Sequence, residues 1–462
     1  MSAESPSTSA RDASVGSTIR LSAEVVIRTS SIVATLWLTR SLGVNAFGSF
    51  ILALSVGLMI AELSDLGLHA VVVPVVVRSR RNLRTLFLMK AAMTGAVVVL
   101  CVAGLPLASR FSGLGVDVLS RCAIHFLGLG WIEMMGATLR SVGRRAAEAT
   151  LLVVFRFTLV GLVIGAPFGP NLAGASLAYA VSVAPALLLG AALLRDLPAS
   201  GAAPGVGVRA IFRQALPLGV NGYLTILSTR VELFLLQAFQ GAHIVGLFGG
   251  ALKIVASLLT LPSAVAAGAL PSLARDAVRG SRGAAQRTFG AVVWIAAPVA
   301  LGLALCAPDV LRVLGPGFID GAPALRILSV ALFLCFANAA LFHLLIAAAD
   351  TAIIPRLTAA RVAVAALGGL LLIPAFGLSG AAVSFTAAEL FLFGLLIRRA
   401  RGPVEVNVLR PVGSALLACV PMIALLSFVP LSLPASIAAG ALLFGIASFA
   451  ILSRGTESGG LA

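Results

Sequence analysis

The stretch from Arg230 to Ala274 reads RVELFLLQAFQGAHIVGLFGGALKIVASLLTLPSAVAAGALPSLA, and its layout repeats that of an earlier stretch. Arg28 to Val76 reads RTSSIVATLWLTRSLGVNAFGSFILALSVGLMIAELSDLGLHAVVVPVV. Each has an arginine in an apolar run, then a short glycine turn, then a second apolar run that ends near a proline. The turns begin at Gly43 and Gly241, 198 residues apart, and the second glycine of each turn keeps this offset. An internal repeat is therefore predicted, with chance similarity between glycine turns as the alternative.

The composition is that of a membrane protein. Of 462 residues, 60% are hydrophobic and 11% are charged, whereas soluble domains carry about 25% charged residues. The net charge of +16 does not indicate nucleic-acid binding, because the arginines lie in short loops between apolar runs, where orientation in the membrane explains them. The five cysteines form no CxxC pair, so neither a disulfide framework nor a metal site is expected.

Fourteen apolar runs approach the roughly 20 residues that a membrane-crossing helix needs. We therefore predict an all-α polytopic membrane protein with spans at 21–40, 46–69, 85–108, 117–138, 147–167, 172–194, 211–239, 244–270, 287–307, 323–348, 355–375, 379–399, 411–430 and 433–453. The predicted order is a cytoplasmic tail, a six-helix N-lobe, a cytoplasmic linker, a six-helix C-lobe and a C-terminal helix pair, at 1–20, 21–195, 196–209, 210–400 and 401–462. Parallel repeats of this kind are typical of transporters with a substrate site between two similar halves.

The loop charges predict the orientation. If the N-terminus is cytoplasmic, the inside loops hold twenty arginines, with Arg356 and Arg361 counted among them, and the outside loops hold five. An excess of positive charge on one set of alternating loops marks the cytoplasmic side. Both termini are therefore expected in the cytoplasm, with the chain in the cytoplasmic (inner) membrane.

Five basic residues remain within the predicted spans, and they are the first candidates for function: Arg28, Lys90, Arg156, Arg230 and Lys253. A charge in hydrocarbon costs at least about 2.5–3.5 kcal/mol, so such groups face a bundle interior or a wet cavity. Arg28, Arg230 and Lys253 are predicted to bind an anionic headgroup such as a pyrophosphate, because arginine and lysine both bind phosphate. Ion pairing, for example of Arg28 with Glu62 or of Arg230 with Glu232, is the structural alternative. For Lys90 and Arg156, pairing or snorkelling is favoured.

Carboxylates within the spans are candidates for coupling transport to an ion gradient. Glu62, Asp65 and Glu232 could bind H⁺ or Na⁺. Charge balance for the basic residues is the alternative. No Gly-rich nucleotide loop, HExxH or GxSxG motif is present, and no outside loop is large enough for a catalytic face. Neither enzymatic activity nor a cofactor is therefore expected.

Five stretches of the chain, taken in order, resemble the polysaccharide (O-antigen type) flippases of the multidrug/oligosaccharidyl-lipid/polysaccharide exporter superfamily. They read RSLGVNAFGSFILA, LSDLGLHAVVVP, GAHIVGLFGGALKIVASLLTLPSAVAAGALPSLAR, LRVLGPGFIDGAPALRIL and LIPAFGLSGAAVSFTAAE. The resemblance implies two six-helix lobes related by a pseudo-two-fold axis in a V shape, around a central cavity. It also implies transport of undecaprenyl-pyrophosphate-linked oligosaccharide from the inner to the outer leaflet, and cavity cations that bind the headgroup.

Other readings of the sequence stay open. A cation-coupled multidrug or small-molecule antiporter of the same fold is one, although drug cations would favour an acidic cavity. A lipid II-type flippase and a non-transporting scaffold of a glycan assembly complex are others. The expected partners are the lipid-linked oligosaccharide and membrane lipids, together with a polysaccharide polymerase and glycosyltransferases.

Overall fold

The computed structural model describes residues 6–78, 82–195, 206–259, 261–262, 283–347, 353–400, 407–429 and 431–458, with side chains described from residue 29 onward. These residues form helices and turns, and no strand occurs among them. The chain divides into two compact units, Met1–Leu227 and Ser228–Ala462.

Unit 1 contains seven helices: α1 (Pro6–Asp65), α2 (Leu68–Arg78), α3 (Asn82–Ser112), α4 (Val116–Ser141), α5 (Arg145–Gly165), α6 (Leu172–Leu194) and α7 (Val208–Leu227). Helices α1, α4, α5 and α6 pack against one another. The short helix α2 buries an apolar face, including Val72 and Val75, against Met134 of α4 and Ile211 of α7. The end of α1 is thereby held inside the unit.

Unit 2 contains α8 (Val231–Gln240), α9 (Ala242–Leu258), α10 (Gly283–Leu305), α11 (Ala307–Leu314), a 3₁₀ turn (Pro316–Gly321), α12 (Ala322–Ala347), α13 (Ile354–Ala400), α14 (Leu409–Phe428) and α15 (Leu433–Ser458). Helix α12 packs against α10 and α13, α13 packs against α8, and α14 joins α10 to α15. The α8–α13 contact joins two helices that both carry buried charged residues.

The predicted fold class is confirmed. Nine helical stretches of the described residues are long and apolar enough to cross a membrane. Two of these stretches, Thr29–Val77 and Ile354–Arg399, contain 49 and 46 residues, enough for two crossings each. The nine stretches therefore correspond to eleven of the predicted spans. The α7–α8 pair, α9 and α15 correspond to the other three of the fourteen. The protein is a multi-pass, all-α membrane protein.

The predicted glycine turn is present in both copies of the repeat, with the same backbone conformation. Gly43 kinks α1 with φ 70° and ψ 173°, and Gly241 separates α8 from α9 with φ 82° and ψ 178°. This region of backbone space is essentially restricted to glycine. The same backbone conformation therefore explains why both positions are glycine, because a residue with a β-carbon would be strained there.

A second feature recurs in the two units, and sequence reasoning missed it. Asn82 at the start of α3 accepts a hydrogen bond from the backbone N–H of Val206, just before α7, at 2.7 Å. Gln286 near the start of α10 accepts one from the backbone N–H of Asn407, just before α14, at 2.8 Å. In each unit a side-chain amide thus fixes the connector that follows the sixth span.

Two predictions about helices are wrong. The span predicted at 211–239 is two helices, because a turn at residues 228–230 separates α7 from α8. Arg361, which we assigned to an inside loop, lies within α13 and is 5% exposed. The span predicted at 244–270 begins as α9, and residues 263–270 lie outside the described part of the chain.

The predicted domain boundaries stay predictions. The division into compact units after Leu227 groups α7 with the first unit, whereas the sequence pattern assigned it to the C-lobe at 210–400. Most of the predicted linker at 196–209 lies outside the described residues.

Candidate functional site

A buried cluster of charged residues in unit 1 lies at the break between α1 and α2. Lys90 of α3 is 0% exposed, and its Nζ donates to Oδ1 of Asp65 at 2.7 Å. The other carboxylate oxygen of Asp65 bonds Nδ1 of His69 at 2.5 Å. It also accepts from the His69 backbone N–H at 3.2 Å, so it satisfies a free donor in the first turn of α2. The preference for pairing at Lys90 is confirmed.

Two further carboxylates flank this pair. Glu62 and Glu133 are close enough to interact electrostatically with Asp65, His69 and Lys90. Glu62 is half-buried against α7, where a methyl group placed on Gly222 would lie 2.3 Å from Glu62 Oε1. The unit 1 cluster therefore combines one closed ion pair with carboxylates that have no ion-pair partner among the described residues.

A second buried cluster lies in unit 2. Arg361 donates from Nε to Oε1 of Glu389 at 2.7 Å, and its Nη2 lies 2.5 Å from the same oxygen in an ion pair. Its Nη1 donates to the carbonyl oxygen of Ser228 at 2.7 Å, in the turn that precedes α8. Asn338 of α12 donates to Oε2 of Glu389 at 2.8 Å, and the guanidinium lies 5.2 Å from the centre of the Phe385 ring. The Arg361 guanidinium therefore contacts a carboxylate, a backbone carbonyl and an aromatic ring.

Glu232 lies in the first turn of α8 beside this cluster. It is 0% exposed, and neither carboxylate oxygen has a hydrogen-bond partner among the described residues. Arg361 and Glu389 are the charged side chains that interact with it electrostatically. The carboxyl group is therefore buried with no side-chain donor among the described residues, which is costly for an anion.

The structure describes the side chains of two of the three predicted headgroup residues. Arg230 is half-buried at the N-terminal cap of α8, and its Nε is buried without a hydrogen-bond partner among the described residues. The suggested hydrogen-bonded pairing of Arg230 with Glu232 is not observed, since both Glu232 oxygens are unpartnered. Lys253 is exposed on α9. The side chain of Arg28 lies outside the described residues, although its backbone belongs to α1.

The sequence analysis missed the unit 2 cluster. Arg361 was counted as a loop residue. The position of Arg361 in the sequence could have indicated that it is buried. It follows the start of its helix by seven residues and is surrounded by apolar residues. No sequence signal pairs it with Glu389, since the partners are 28 residues apart and meet only through the kink at Gly377 of α13.

The described helices have a fold that also occurs in solved membrane transporters. The chain is similar to the lipid II flippase MurJ in an inward closed conformation, with 11% identity over 94% of this chain and 98% of that one and a TM-score of 0.67. It is also similar to an inward-facing multidrug resistance MATE transporter, with 17% identity over 84% and 98% and a TM-score of 0.63. A third similar structure is a MOP-superfamily transporter from Pyrococcus furiosus, described as having a binding pocket of reverse polarity, with 17% identity over 84% and 95% and a TM-score of 0.54.

The family follows from the sequence match. A model described as "Polysaccharide biosynthesis protein" matches residues 15–275, which is more than half of the chain. The chain therefore belongs to the polysaccharide biosynthesis protein family. No curated protein matches the chain.

Proposed function

We propose that this protein is a flippase that moves undecaprenyl-pyrophosphate-linked oligosaccharide from the inner to the outer leaflet of the cytoplasmic membrane by alternating access, with both termini cytoplasmic. The observation that carries this proposal is membership of the polysaccharide biosynthesis family across residues 15–275. A polysaccharide pathway in the membrane needs a carrier of lipid-linked sugar. The chain has the multi-pass fold suited to that task.

Arg230 is the primary headgroup candidate, because a break in a membrane-length helix concentrates positive potential there. The first amides of α8 lack intrahelical partners, and the helix dipole favours an anion at this end. Half-helix N-termini of discontinuous membrane helices bind anionic substrate groups in other transporters. The unpartnered Nε of Arg230 gives a pyrophosphate oxygen a donor that the described residues leave unused.

Arg28 and Lys253 complete the proposed set of headgroup cations. Lys253 is exposed on α9, and its ammonium would add a positive charge for the phosphate. Arg28 occupies the corresponding helix of the first repeat. The diphosphate of the substrate spreads its charge over several oxygens, so separate cations can contribute to binding without meeting one another.

Ion coupling is the second part of the proposal. Of the three candidate carboxylates, Asp65 is already committed to Lys90 and His69. Glu62 is only half-buried, and Glu232 is fully buried. A buried carboxyl without a fixed cation can change its proton occupancy as its surroundings change, so Glu62 and Glu232 are the stronger coupling candidates. A polysaccharide polymerase and glycosyltransferases are the proposed functional partners.

A deletion strain complemented with variants tests the headgroup proposal. Arg230→Ala and Arg28→Ala should abolish glycan export and cause lipid-linked sugar to accumulate, while the amount of protein in the membrane is unchanged. Lysine at either position should restore part of the export, because it keeps the charge and loses the bidentate fork. The matched control is Arg213→Ala on the exposed part of α7, which removes the same charge and should export normally.

Two outcomes would contradict this proposal. Wild-type export by the double variant with alanine at residues 28 and 230 would show that these residues do not bind the headgroup. Loss of the variant from the membrane would instead indicate a structural ion-pairing role. Accumulation of lipid II, or loss of drug export with normal glycan export, would favour the lipid II-type flippase or the multidrug antiporter respectively.

A further inference from the structure

We propose that Glu232 is a proton-binding site, and that Arg361 occupies the position of a permanent cation beside it. Glu232 carries a proton in this conformation, and the pair of glutamates around Arg361 shares one positive charge. The bound species in unit 2 is therefore H⁺ rather than a metal cation. Proton binding converts the Glu232 carboxylate into a carboxylic acid, and its release restores the carboxylate.

The first argument is the burial of Glu232 without a side-chain donor among the described residues. The side chain is 0% exposed, and neither oxygen accepts a hydrogen bond from the described residues. An ionised carboxylate in such a place keeps several kcal/mol of desolvation cost uncompensated. Burying a protonated carboxyl has only the smaller cost of burying an uncharged polar group, on the order of 1–3 kcal/mol. The proton is therefore the less costly way to bury this side chain.

The second argument concerns Arg361, the cation among the described residues that interacts electrostatically with Glu232. Arg361 directs Nε and Nη2 to Oε1 of Glu389 and Nη1 to the carbonyl of Ser228. Asn338 supports the same carboxylate from the other side. The guanidinium is therefore ion-paired with Glu389, and Glu232 is a second carboxyl beside the same positive charge.

The dipole of α8 opposes this conclusion, but its effect is too small to reverse it. Glu232 lies in the first turn of α8, where the helix N-terminus favours an anion by about 0.3–1 kcal/mol, or about 2 kcal/mol in buried geometries. The desolvation cost of an unpaired buried carboxylate is larger. Burial therefore dominates over the dipole.

Among the described residues, the other ionisable side chains around α8 do not act on Glu232 as a second cation. Helix α13 contributes Arg361 and Glu389. Helix α9 also packs against α8, and its ionisable residues His243 and Lys253 are exposed. Arg230, on the cap of α8 itself, makes no hydrogen bond to the Glu232 oxygens. Cys335 of α12 is near Glu389 and Arg361, but a thiol brings no positive charge.

Arg361 also explains why the ligand is a proton. A carboxylate oxygen and the freed carbonyl of a broken membrane helix are the groups that coordinate Na⁺ in discontinuous helices. Here the guanidinium already binds both, at Glu389 and Ser228. A metal ion would have to displace a covalently attached cation, whereas a proton needs only an oxygen of Glu232.

Infrared spectroscopy of the purified full-length protein in lipid tests the proposal at neutral pH. The carboxylic acid C=O band of wild type should lose one component in Glu232→Gln, which keeps the shape of the protonated side chain. Glu389→Gln should remove the same component, because Glu232 then ionises and pairs with Arg361. Arg361→Gln should add a component, because Glu389 loses its cation and binds a proton. The matched control is Glu148→Gln, since Glu148 is buried and paired with Arg140; it should leave the band unchanged.

An unchanged band in Glu232→Gln would overturn the proton site. That variant is nearly isosteric, and a normal elution profile and melting temperature establish that it folds. A component that survives Glu389→Gln would overturn the shared role of Arg361.

The use of this proton in transport rests on the proposed flippase function and has a separate measurement. Glycan export by Glu232→Gln should lose its dependence on the proton gradient. If the infrared change is present and gradient dependence persists, coupling through Glu232 is wrong and the proton site stands. If wild type itself exports no glycan, the proposed function fails while the infrared result stands.

Discussion

In each unit a helix break leaves a backbone group without a helical partner. The charged side chain that satisfies it is of opposite sign in the two units. In unit 1 a membrane-length helix breaks after Asp65, and this carboxylate satisfies a free N–H at the start of α2. In unit 2 the chain breaks before α8, and Arg361 satisfies the free carbonyl of Ser228. An anion serves at one break and a cation at the other.

The two units share features of the backbone and differ in their buried charged side chains. Gly43 and Gly241 have the same conformation, and Asn82 and Gln286 fix corresponding connectors. The charged clusters do not correspond, because unit 1 pairs neighbouring spans through Asp65 and Lys90, whereas the unit 2 cluster joins α8 to both halves of α13. The repeat therefore determines the scaffold, and each unit places its own chemistry on it.

The largest expected effect is loss of the buried cation in either unit. Arg361→Met should lower the free energy of unfolding by about 3–5 kcal/mol, because removing one partner of a buried pair strands the other. Lys90→Met should cost less, near the lower end of that range, because His69 remains to bind Asp65. Thermal melting of the purified variants measures both. Equal losses would show that His69 does not compensate for Lys90.

A close backbone contact in unit 1 gives the next effect. A methyl group on Gly219 of α7 would lie 2.1 Å from the carbonyl carbon of Leu66 and 2.6 Å from the N of Gly67. Gly219→Ala should therefore push α7 away from the α1–α2 break and destabilise the protein by about 3 kcal/mol. Gly104→Ala is the control, since nothing lies within 4 Å of its added methyl group. A normal melting temperature for Gly219→Ala would contradict this contact.

The glycine turns should show equal effects in the two units. Nothing lies within 4 Å of a methyl group added to Gly43 or Gly241, so alanine there adds only backbone strain, about 1–3 kcal/mol. The two single variants should therefore melt at similar temperatures below wild type. A large cost at one glycine and none at the other would argue against the repeat.

The smallest effect should come from the connector amides. Asn82→Ala and Gln286→Ala each remove a side-chain hydrogen bond to a connector N–H, worth about 0.5–1.5 kcal/mol. Asn82 is buried whereas Gln286 is half-buried, so the loss should be larger at Asn82. Hydrogen exchange at Val206 and Asn407 provides the local measurement. Unchanged exchange at Val206 in Asn82→Ala would show that the bond does not hold the connector.

The sequence alone determined the membrane fold and its repeat. Long apolar runs predict spans because the bilayer sets their length, and glycine at 43 and 241 predicts turns because the backbone there requires it. The cost of burying charge also identified Arg230 and Glu232 as unusual. Each of these inferences uses only the identity and order of the residues. None of them requires knowing which helices are in contact.

Only the tertiary structure decided which buried charges meet. Arg361 reaches Glu389 through the kink in α13 and reaches Ser228 from 133 residues away, and no periodicity in the sequence encodes such a distance. The same holds for Glu232, whose lack of a donor depends on the packing of α13 against α8. Whether a buried carboxyl is an anion or an acid depends on its partners in three dimensions, because electrostatic energy follows distance in space and not separation along the chain.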